Sequence, residues 1–428
     1  MSLGLRRLAA TTAGALAVAL TLGSTAPAYA QLGDIDTSSL GVEEVETIGT
    51  VIGSVGVGSV LGSLGPLGSS DFPLDGAGSS EELSEDPRPQ QDHINTAKFV
   101  KFERTDRDDN RYEYWLVHSA VMKREVILEV VPSRVDSTDP APVLYMLDGV
   151  GAPEYDSGWN HQANIADWTS DDHVHVVMPT GAYASYYADW EKADEVLGYN
   201  KWETFLTQEL PGIVQQGLEA REYVAASDKA AIGGISMGGQ AAMHLAATYP
   251  GIYQGVMSFS GNYTTEGELA YQSVRASIER LGGNVENMWG PRGSEEWKRH
   301  DTISHVEGLK DTAVFFSAGN TAIGQDDIAH YKTDYFSMLL GLLLEAGVLE
   351  SSKAFERELN SKGIEHRVDY AETGFHSWHT FRPNFEPGWD YIKPALYGNG
   401  VGPGTGAPST SGSSGSAGSS GSLSSSGS

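Results

Sequence analysis

One serine lies between glycines in the segment Gly234-Ile-Ser236-Met237-Gly238, and its hydroxyl is a candidate nucleophile. An apolar run precedes this segment and a helix-forming run follows it, which is the strand–turn–helix setting of a nucleophile elbow. Glycines two positions before and after the serine let neighbouring backbones pass closely. The following helix would direct backbone N–H groups toward developing negative charge. The pattern predicts a nucleophilic Ser236 with the Met237 N–H as an oxyanion donor, against the alternative of a plain glycine-rich turn.

A serine hydroxyl needs a base and an acid that orients the base, and this elbow is typically followed by the acid and then the histidine. His376 lies in "GFHSWHTF", after the last predicted strand, and His379 is its nearest rival. We favour His376 because it comes first after that strand. His173 and His175 alternate along another predicted strand, which favours packing or exposure over metal binding.

The acid has three candidates. Chain order points just past the predicted strand "TAVFFSA", where Asp326 and Asp327 occur. Glu345 lies further on, inside the apolar run "LLGLLLEAGVLESSKAF". A carboxylate within so apolar a run is conspicuous, although it could also be the polar edge of an amphipathic helix. Spacing alone leaves the choice open.

Residues 92–397 form the predicted globular body, whose elements alternate. Short β-branched runs predict strands suited to a sheet that is buried on both faces. These strands are Val126–Pro132, Val143–Leu147, His173–Met178, Ala230–Ile235, Gly255–Ser260, Thr312–Ala318 and His366–Tyr370. Helical patterns lie between several of them, at Trp202–Gly217, Gln240–Thr248 and Tyr335–Leu349. The alternation predicts an α/β fold with a mostly parallel central sheet and helices on both faces.

The N-terminal residues 1–30 have the features of a secretory signal peptide. Two arginines precede the apolar run Leu8–Leu22, and "APAYA" ends at Ala30. The apolar run is shorter than the roughly 20 residues that a membrane span needs. The sequence therefore predicts a protein that is exported to the cell envelope or the extracellular space.

Two further segments differ in composition from the body. Residues 31–91 are rich in glycine and serine and then acidic, and residues 398–428 are almost entirely glycine and serine. Both are predicted to be flexible. The stretch Ile48–Gly68 carries no charge, which raises a transmembrane alternative, but its glycine content and Pro66 favour a flexible segment.

Charge and cysteine content exclude several classes of function. The 428 residues include 28 basic and 57 acidic side chains, for a net charge of −29. Nucleic-acid binding needs a basic surface, so it is not expected. The chain has no cysteine, which excludes disulfides, thiol chemistry and cysteine-based zinc sites.

Several motifs between Arg111 and Tyr397 together resemble the secreted mycolyltransferases of the antigen 85 and corynebacterial group. The motifs are "LYMLDG" followed by "SGW", then "YYADW", "KWETFLTQELP", "MWGPRGSEEWKRHD" and "HSW", in that order. Five motifs in sequence are far more specific than one serine elbow. The resemblance implies an α/β-hydrolase fold.

The resemblance also implies a chemistry. A mycoloyl group would pass from trehalose monomycolate, through an acyl-enzyme on Ser236, to a second trehalose monomycolate or to cell-wall arabinogalactan. Such transfer requires no cofactor or metal. In the family the acid is a glutamate ten positions before a phenylalanine, which Glu345 and Phe355 match.

The remaining site residues come from the same resemblance. The second oxyanion donor would be the Val150 N–H, and Asp148 and Trp378 would line the sugar site. The chain departs from the family pattern at three sugar-contacting positions, which here are Gly151, Pro153 and Gln162. Two alternatives therefore stay open: a secreted carboxylesterase of the same fold, and a non-catalytic envelope-binding protein.

Overall fold

The computed structural model of the chain describes residues 90–398, apart from positions 280, 333 and 334. The predicted signal peptide, residues 31–89 of the segment predicted to be flexible and residues 399–428 of the predicted tail lie outside the described residues. In the described part, no helix combines the length and the apolar character that crossing a membrane requires.

Nine strands of the described chain form one sheet. They are β1 (Lys98–Thr105), β2 (Glu113–Ser119), β3 (Arg124–Val131), β4 (Ala141–Leu147), β5 (His175–Pro179), β6 (Ala226–Ile235), β7 (Gly255–Phe259), β8 (Ala313–Ala318) and β9 (His366–Tyr370). Their spatial order is β1-β2-β3-β5-β4-β6-β7-β8-β9. The first three strands and the β3–β5 pair are antiparallel, whereas β5, β4, β6, β7, β8 and β9 are mutually parallel. The predicted mostly parallel α/β fold is confirmed, and β1 and β2 are additions that the sequence patterns missed.

Most helices lie between successive strands of the parallel part of the sheet, and the last two follow β9. They are α1 (Gly158–His161), α2 (Ile165–Trp168), α3 (Trp202–Thr204), α4 (Leu210–Ala220), α5 (Ser236–Thr248), α6 (Glu268–Glu279), α7 (Val285–Trp289), α8 (Glu295–Arg299), α9 (Gln325–Tyr331), α10 (Tyr335–Lys362), α11 (Trp378–Phe381) and α12 (Phe385–Ile392). A π-helical turn, Phe205–Glu209, joins α3 to α4. Helix α10 extends well beyond the predicted Tyr335–Leu349.

The sheet separates two apolar clusters, because successive side chains of a strand point to opposite faces. On β4, Tyr145 and Leu147 belong to the cluster that contains α4, α5 and α10 residues, such as Phe355. Leu144 and Met146 belong to the other cluster, which contains α1, α2 and α12 residues. Burial of each such side chain contributes about 1.5–3 kcal/mol. Because β4 is buried on both faces of the sheet, its C-terminal end is held in place, and the loop that begins at Asp148 starts from this end.

The parallel register brings the C-terminal ends of the central strands together. Leu147 of β4 pairs with Gly234 of β6, and Ile235 of β6 pairs with Phe259 of β7. Phe259 in turn pairs with Ser317 of β8. The loops after these strands therefore meet at one edge of the sheet, which is where open α/β folds place their ligand sites.

His175 gives β5 a pH-sensitive position. It is fully buried, and its Nδ1 accepts a hydrogen bond from the Ser133 N–H at 3.1 Å. Burial and, to a smaller extent, the neighbouring His173 lower the pKa of His175 to about 4. His175 in the folded protein therefore stays neutral at pH values at which the same side chain in the unfolded chain, with its ordinary pKa of about 6.5, is protonated.

Stability is accordingly expected to fall as the pH is lowered from 6.5 to about 4, by up to about 1.4 kcal/mol per pH unit from this group. His175→Asn keeps an acceptor for the Ser133 N–H and removes the titration. In urea unfolding at stepped pH, the difference in unfolding free energy between wild type and variant should shrink across this window. A constant difference would contradict the assignment.

Candidate active site

Ser236 lies at the junction of β6 and α5, with no loop between them. Ile235 is extended, at φ −106° and ψ 147°, and α5 begins at Ser236. The backbone of Ser236 has φ 52°, in the left-handed region that non-glycine residues rarely adopt. Its side chain is partly exposed. A strained, accessible serine at the start of a helix is the geometry expected of a nucleophile elbow.

Gly238 lets the elbow pack against the end of β4. A Cβ at this position would lie 2.6 Å from the carbonyl oxygen of Leu147 and would overlap the carbonyl oxygen of Asp148. Neither neighbour is a flexible side chain that could turn away. A glycine here is therefore required by the close approach of two backbones.

Gly238→Ala is expected to separate α5 from the β4 end, because the added methyl group has no space. The predicted result is a loss of about 1–3 kcal/mol of unfolding free energy and a loss of ester turnover. Gly212→Ala is the matched control, since a Cβ at Gly212 of α4 would meet nothing within 4 Å. Thermal unfolding and ester turnover measured on both variants test this; equal behaviour of the two would contradict it.

The structure brings three sequence-predicted residues into one hydrogen-bonded chain. His376 Nε2 lies 2.7 Å from Ser236 Oγ, and His376 Nδ1 lies 2.7 Å from Glu345 Oε2. Glu345 is fully buried and His376 is 6% exposed. A carboxylate at Nδ1 keeps the proton on that nitrogen, which leaves Nε2 free to accept the serine proton.

Two further groups hold the Glu345 carboxylate. Its Oε1 accepts hydrogen bonds from Ser260 Oγ at 2.7 Å and from the Gly319 N–H at 2.6 Å. Ser260 follows β7 and Gly319 follows β8, so both belong to the same sheet edge as the elbow. Sequence reasoning missed these two residues. Both oxygens of Glu345 are therefore satisfied, which fixes the direction in which Oε2 meets His376.

The predicted oxyanion donors lie on either side of Ser236. Met237 is in the first turn of α5, where backbone N–H groups have no partner within the helix. A Cβ at Gly149 would lie 3.6 Å from the Cβ of Ser236, so the turn that carries Val150 borders the serine. In the described part of the chain, the Val150 N–H makes no hydrogen bond.

Asp148 and Trp378, the predicted sugar-site residues, lie next to this turn. Asp148 Oδ1 accepts from the Gly158 N–H at 3.0 Å. Trp378, which directly follows Ser377, packs edge-on against Trp159 with ring centroids 5.3 Å apart. Of the three departures from the family pattern, Gln162 is exposed, Gly151 is half-buried and Pro153 is buried.

The rival histidine has a carboxylate of its own. His379 Nε2 lies 2.6 Å from Asp327 Oδ1, and His379 Nδ1 lies 2.6 Å from Ser377 Oγ. The second oxygen of Asp327 accepts from the Gly324 N–H at the start of α9. Asp326 is exposed. Ser377 is only 1% exposed, whereas Ser236 is partly exposed, so accessibility favours Ser236 as the nucleophile.

A separate buried cluster, Glu203, His244 and His300, offers three potential metal-ligating side chains. The rings of His244 and His300 stack at 4.6 Å with their planes 23° apart. A metal ion must lie near the plane of each imidazole that binds it, which stacked rings do not allow for one ion. Arg299 also forms a two-pronged ion pair with Glu203. The cluster therefore serves to tie α3, α5 and α8 together.

A family model described as "Putative esterase" matches residues 119–391 of the chain. The chain is 31% identical over 276 residues to the diacylglycerol acyltransferase/mycolyltransferase Ag85A of Mycobacterium leprae, which covers 62% of this chain and 78% of the relative. It is 29% identical over 302 residues to the Ag85B protein of Mycobacterium avium, covering 69% of this chain and 85% of the relative.

Two solved structures have a fold similar to that of this chain. The fold matches Mycobacterium tuberculosis MPT51 with a TM-score of 0.55 and 26% identity, over 67% of this chain and 98% of that one. It also matches an S-formylglutathione hydrolase from Agrobacterium tumefaciens, with a TM-score of 0.51 and 16% identity, over 70% of this chain and 99% of that one. The second likeness concerns the fold alone.

Proposed function

The chain belongs to the antigen 85 family, within the wider esterase family, and from this premise we propose that it is a serine acyltransferase. The proposed reaction moves a mycoloyl group from trehalose monomycolate to a second trehalose monomycolate or to arabinogalactan. The observation that carries the proposal is the chain of two 2.7 Å hydrogen bonds from Ser236 through His376 to Glu345. The names of the Ag85 relatives supply the substrate class.

In the first half-reaction, His376 Nε2 takes the proton of Ser236 Oγ as the oxygen attacks the ester carbonyl. The tetrahedral oxyanion forms beside the N–H groups of Met237 and Val150, and each such donor contributes about 3 kcal/mol to transition-state stabilisation. Glu345 balances the charge of the imidazolium. When the C–O bond breaks, the trehalose oxygen takes the proton from Nε2, and the mycoloyl group stays on Ser236.

In the second half-reaction, an acceptor hydroxyl gives its proton to the same Nε2 and attacks the acyl-serine carbonyl. Collapse of the second tetrahedral intermediate returns the proton to Ser236 Oγ and releases the new ester. Water is a competing acceptor, and its use would make the protein a hydrolase. The chain departs from the family pattern at the sugar-contacting positions Gly151, Pro153 and Gln162. The ratio of acyl transfer to hydrolysis is therefore the quantity to measure.

Incubation of the purified full-length protein with trehalose monomycolate tests the proposal. Mass spectrometry should find a mycoloyl adduct on the peptide that contains Ser236, and trehalose dimycolate among the products. Ser236→Ala should give neither. An adduct that yields only free mycolic acid would overturn the transferase in favour of the esterase. Equal activity of Ser236→Ala and wild type would overturn the nucleophile assignment itself.

A protein outside the cytoplasm fits this substrate. We propose export through the N-terminal residues 1–30 and action at the outer cell envelope, where mycolates and arabinogalactan are found. The acidic net charge of −29 gives no support for a nucleic-acid partner.

A further inference from the structure

Three residues in the segment Ala184–Tyr187 have strained backbones. Their φ angles are 41° for Ala184, 53° for Tyr186 and 49° for Tyr187. The left-handed region costs a non-glycine residue on the order of 1 kcal/mol or more, and two of these residues carry bulky rings. Such strain persists only where surrounding contacts hold it, and it is concentrated at functional sites.

Each strained residue makes a contact with one residue of the oxyanion site. The Ala184 N–H donates to the Val150 carbonyl at 2.9 Å, and the Tyr186 N–H points to Met237 Sδ at 3.3 Å. The Tyr187 hydroxyl accepts the Asp148 N–H at 2.9 Å. Val150 and Met237 are the proposed donors, and Asp148 begins the turn that presents Val150. Three contacts of one short segment therefore reach both residues that carry the proposed oxyanion donors or the turn before them.

The segment is itself held firmly. Ser185 Oγ accepts the Tyr187 N–H at 3.1 Å, and the Ser185 carbonyl accepts the indole N–H of Trp190 at 2.9 Å. Tyr187 is 1% exposed and packs edge-on against Trp202 at 5.8 Å. Because this packing restrains the Tyr187 ring, its hydroxyl has a fixed position. The hydrogen bond to that hydroxyl in turn restrains the orientation of the Asp148 N–H.

We infer that Ala184–Tyr187 is a positioning element of the oxyanion site, with the Tyr187 hydroxyl setting the turn that carries the Val150 N–H. The inference rests on the proposed function. Donors stabilise an oxyanion well only if they are aligned before the charge develops, so a small displacement of the turn raises the barrier without weakening ground-state binding. Tyr187 touches no reacting atom in this account.

Tyr187→Phe tests the inference, because it removes one hydroxyl and keeps the ring in its packing. With a p-nitrophenyl alkanoate as probe, we expect the acylation rate constant to fall about tenfold or more, but less than the roughly 10²–10³-fold loss of a whole donor. The dissociation constant of the ester, obtained together with the acylation rate constant from burst-phase kinetics, should change little. The inhibition constant of an alkyl trifluoromethyl ketone, whose adduct with serine carries an oxyanion, should rise by the same factor.

Tyr112→Phe is the matched control. Its hydroxyl likewise accepts a backbone N–H, that of Ala166 at 3.0 Å, but it holds α2 instead of the site. Both variants should lose similar thermal stability, and only Tyr187→Phe should lose acylation rate. Equal kinetics in the two variants, or a change confined to the dissociation constant of the ester, would overturn the inference.

The outcomes separate this inference from the proposed function. If Ser236→Ala is inactive while Tyr187→Phe acylates at the wild-type rate with unchanged ketone affinity, the nucleophile stands and the positioning role is wrong. If Ser236→Ala retains full activity, the proposed function itself is wrong. A parallel loss in acylation and ketone affinity for Tyr187→Phe supports both.

Discussion

Ser236→Ala and His376→Ala are each expected to lower acyl transfer about a millionfold, and the double variant should be no slower than either single one. In the proposed mechanism the serine supplies the attacking oxygen, and the histidine, which lies 2.7 Å from that oxygen, makes it nucleophilic by taking its proton. Removal of either group ends the same step, so the two losses cannot add. Rates of mycoloyl transfer and of p-nitrophenyl ester hydrolysis for the three variants measure this.

Ser377→Ala provides the control, because Ser377 has a histidine and a carboxylate in line as well. Its hydroxyl lies 2.6 Å from His379 Nδ1, and His379 contacts Asp327. Since Ser377 is almost fully enclosed, its loss should cost less than about tenfold. If Ser377→Ala were inactive and Ser236→Ala active, the nucleophile would have to be reassigned to the second chain of groups.

The central sheet was predictable from sequence because its strands are buried on both faces and are therefore continuous apolar runs. The β4 strand, whose residues are all buried, was predicted as Val143–Leu147 and extends over Ala141–Leu147. The β1 strand was missed for the opposite reason. Its sequence KFVKFERT is largely exposed at the sheet edge, so charged residues interrupt the apolar pattern.

The carboxylate partner of the histidine was not predictable from spacing. Chain order pointed to the region after β8, and that region does supply a carboxylate, Asp327, but it meets His379. Glu345 reaches His376 because α10 packs against β8, and Ser260 and Gly319 orient its carboxylate. Glu345 was predicted from the family resemblance. No local sequence pattern indicates its contact with His376, because the two residues lie in different elements of the fold.

The contacts of the segment Ala184–Tyr187 with the proposed oxyanion site could not be predicted from the sequence, for a different physical reason. A left-handed backbone is normally expected at glycine or asparagine, whereas here alanine and two tyrosines adopt it. The motif "YYADW" was noticed only as a family signature. Strain imposed by tertiary contacts leaves no mark on local propensity, so the role proposed for Tyr187 could be inferred only from the hydrogen bond that its hydroxyl accepts from the Asp148 N–H.

Glu345→Ala is expected to lower acyl transfer by about 10⁴-fold, because the histidine loses the group that holds its tautomer and balances its charge. Asp326→Ala and Asp327→Ala should cost less than about tenfold, since one side chain is exposed and the other pairs with His379. Mycoloyl transfer by the three variants, compared at one pH, gives the test. A large loss in Asp327→Ala with a small one in Glu345→Ala would reassign the acid.

Glu345→Gln sharpens the argument, because it preserves shape and removes only the charge. Ser260 Oγ–H and the Gly319 N–H both donate to Oε1, so the amide oxygen of the glutamine must face them. The amide NH₂ then faces His376 Nδ1, which must become an acceptor and carry its proton on Nε2 instead. In that tautomer Nε2 cannot take the proton of Ser236. The glutamine variant should therefore fold like the wild type by thermal unfolding and be about as inactive as Glu345→Ala, whereas recovery of activity would show that Glu345 acts through packing alone.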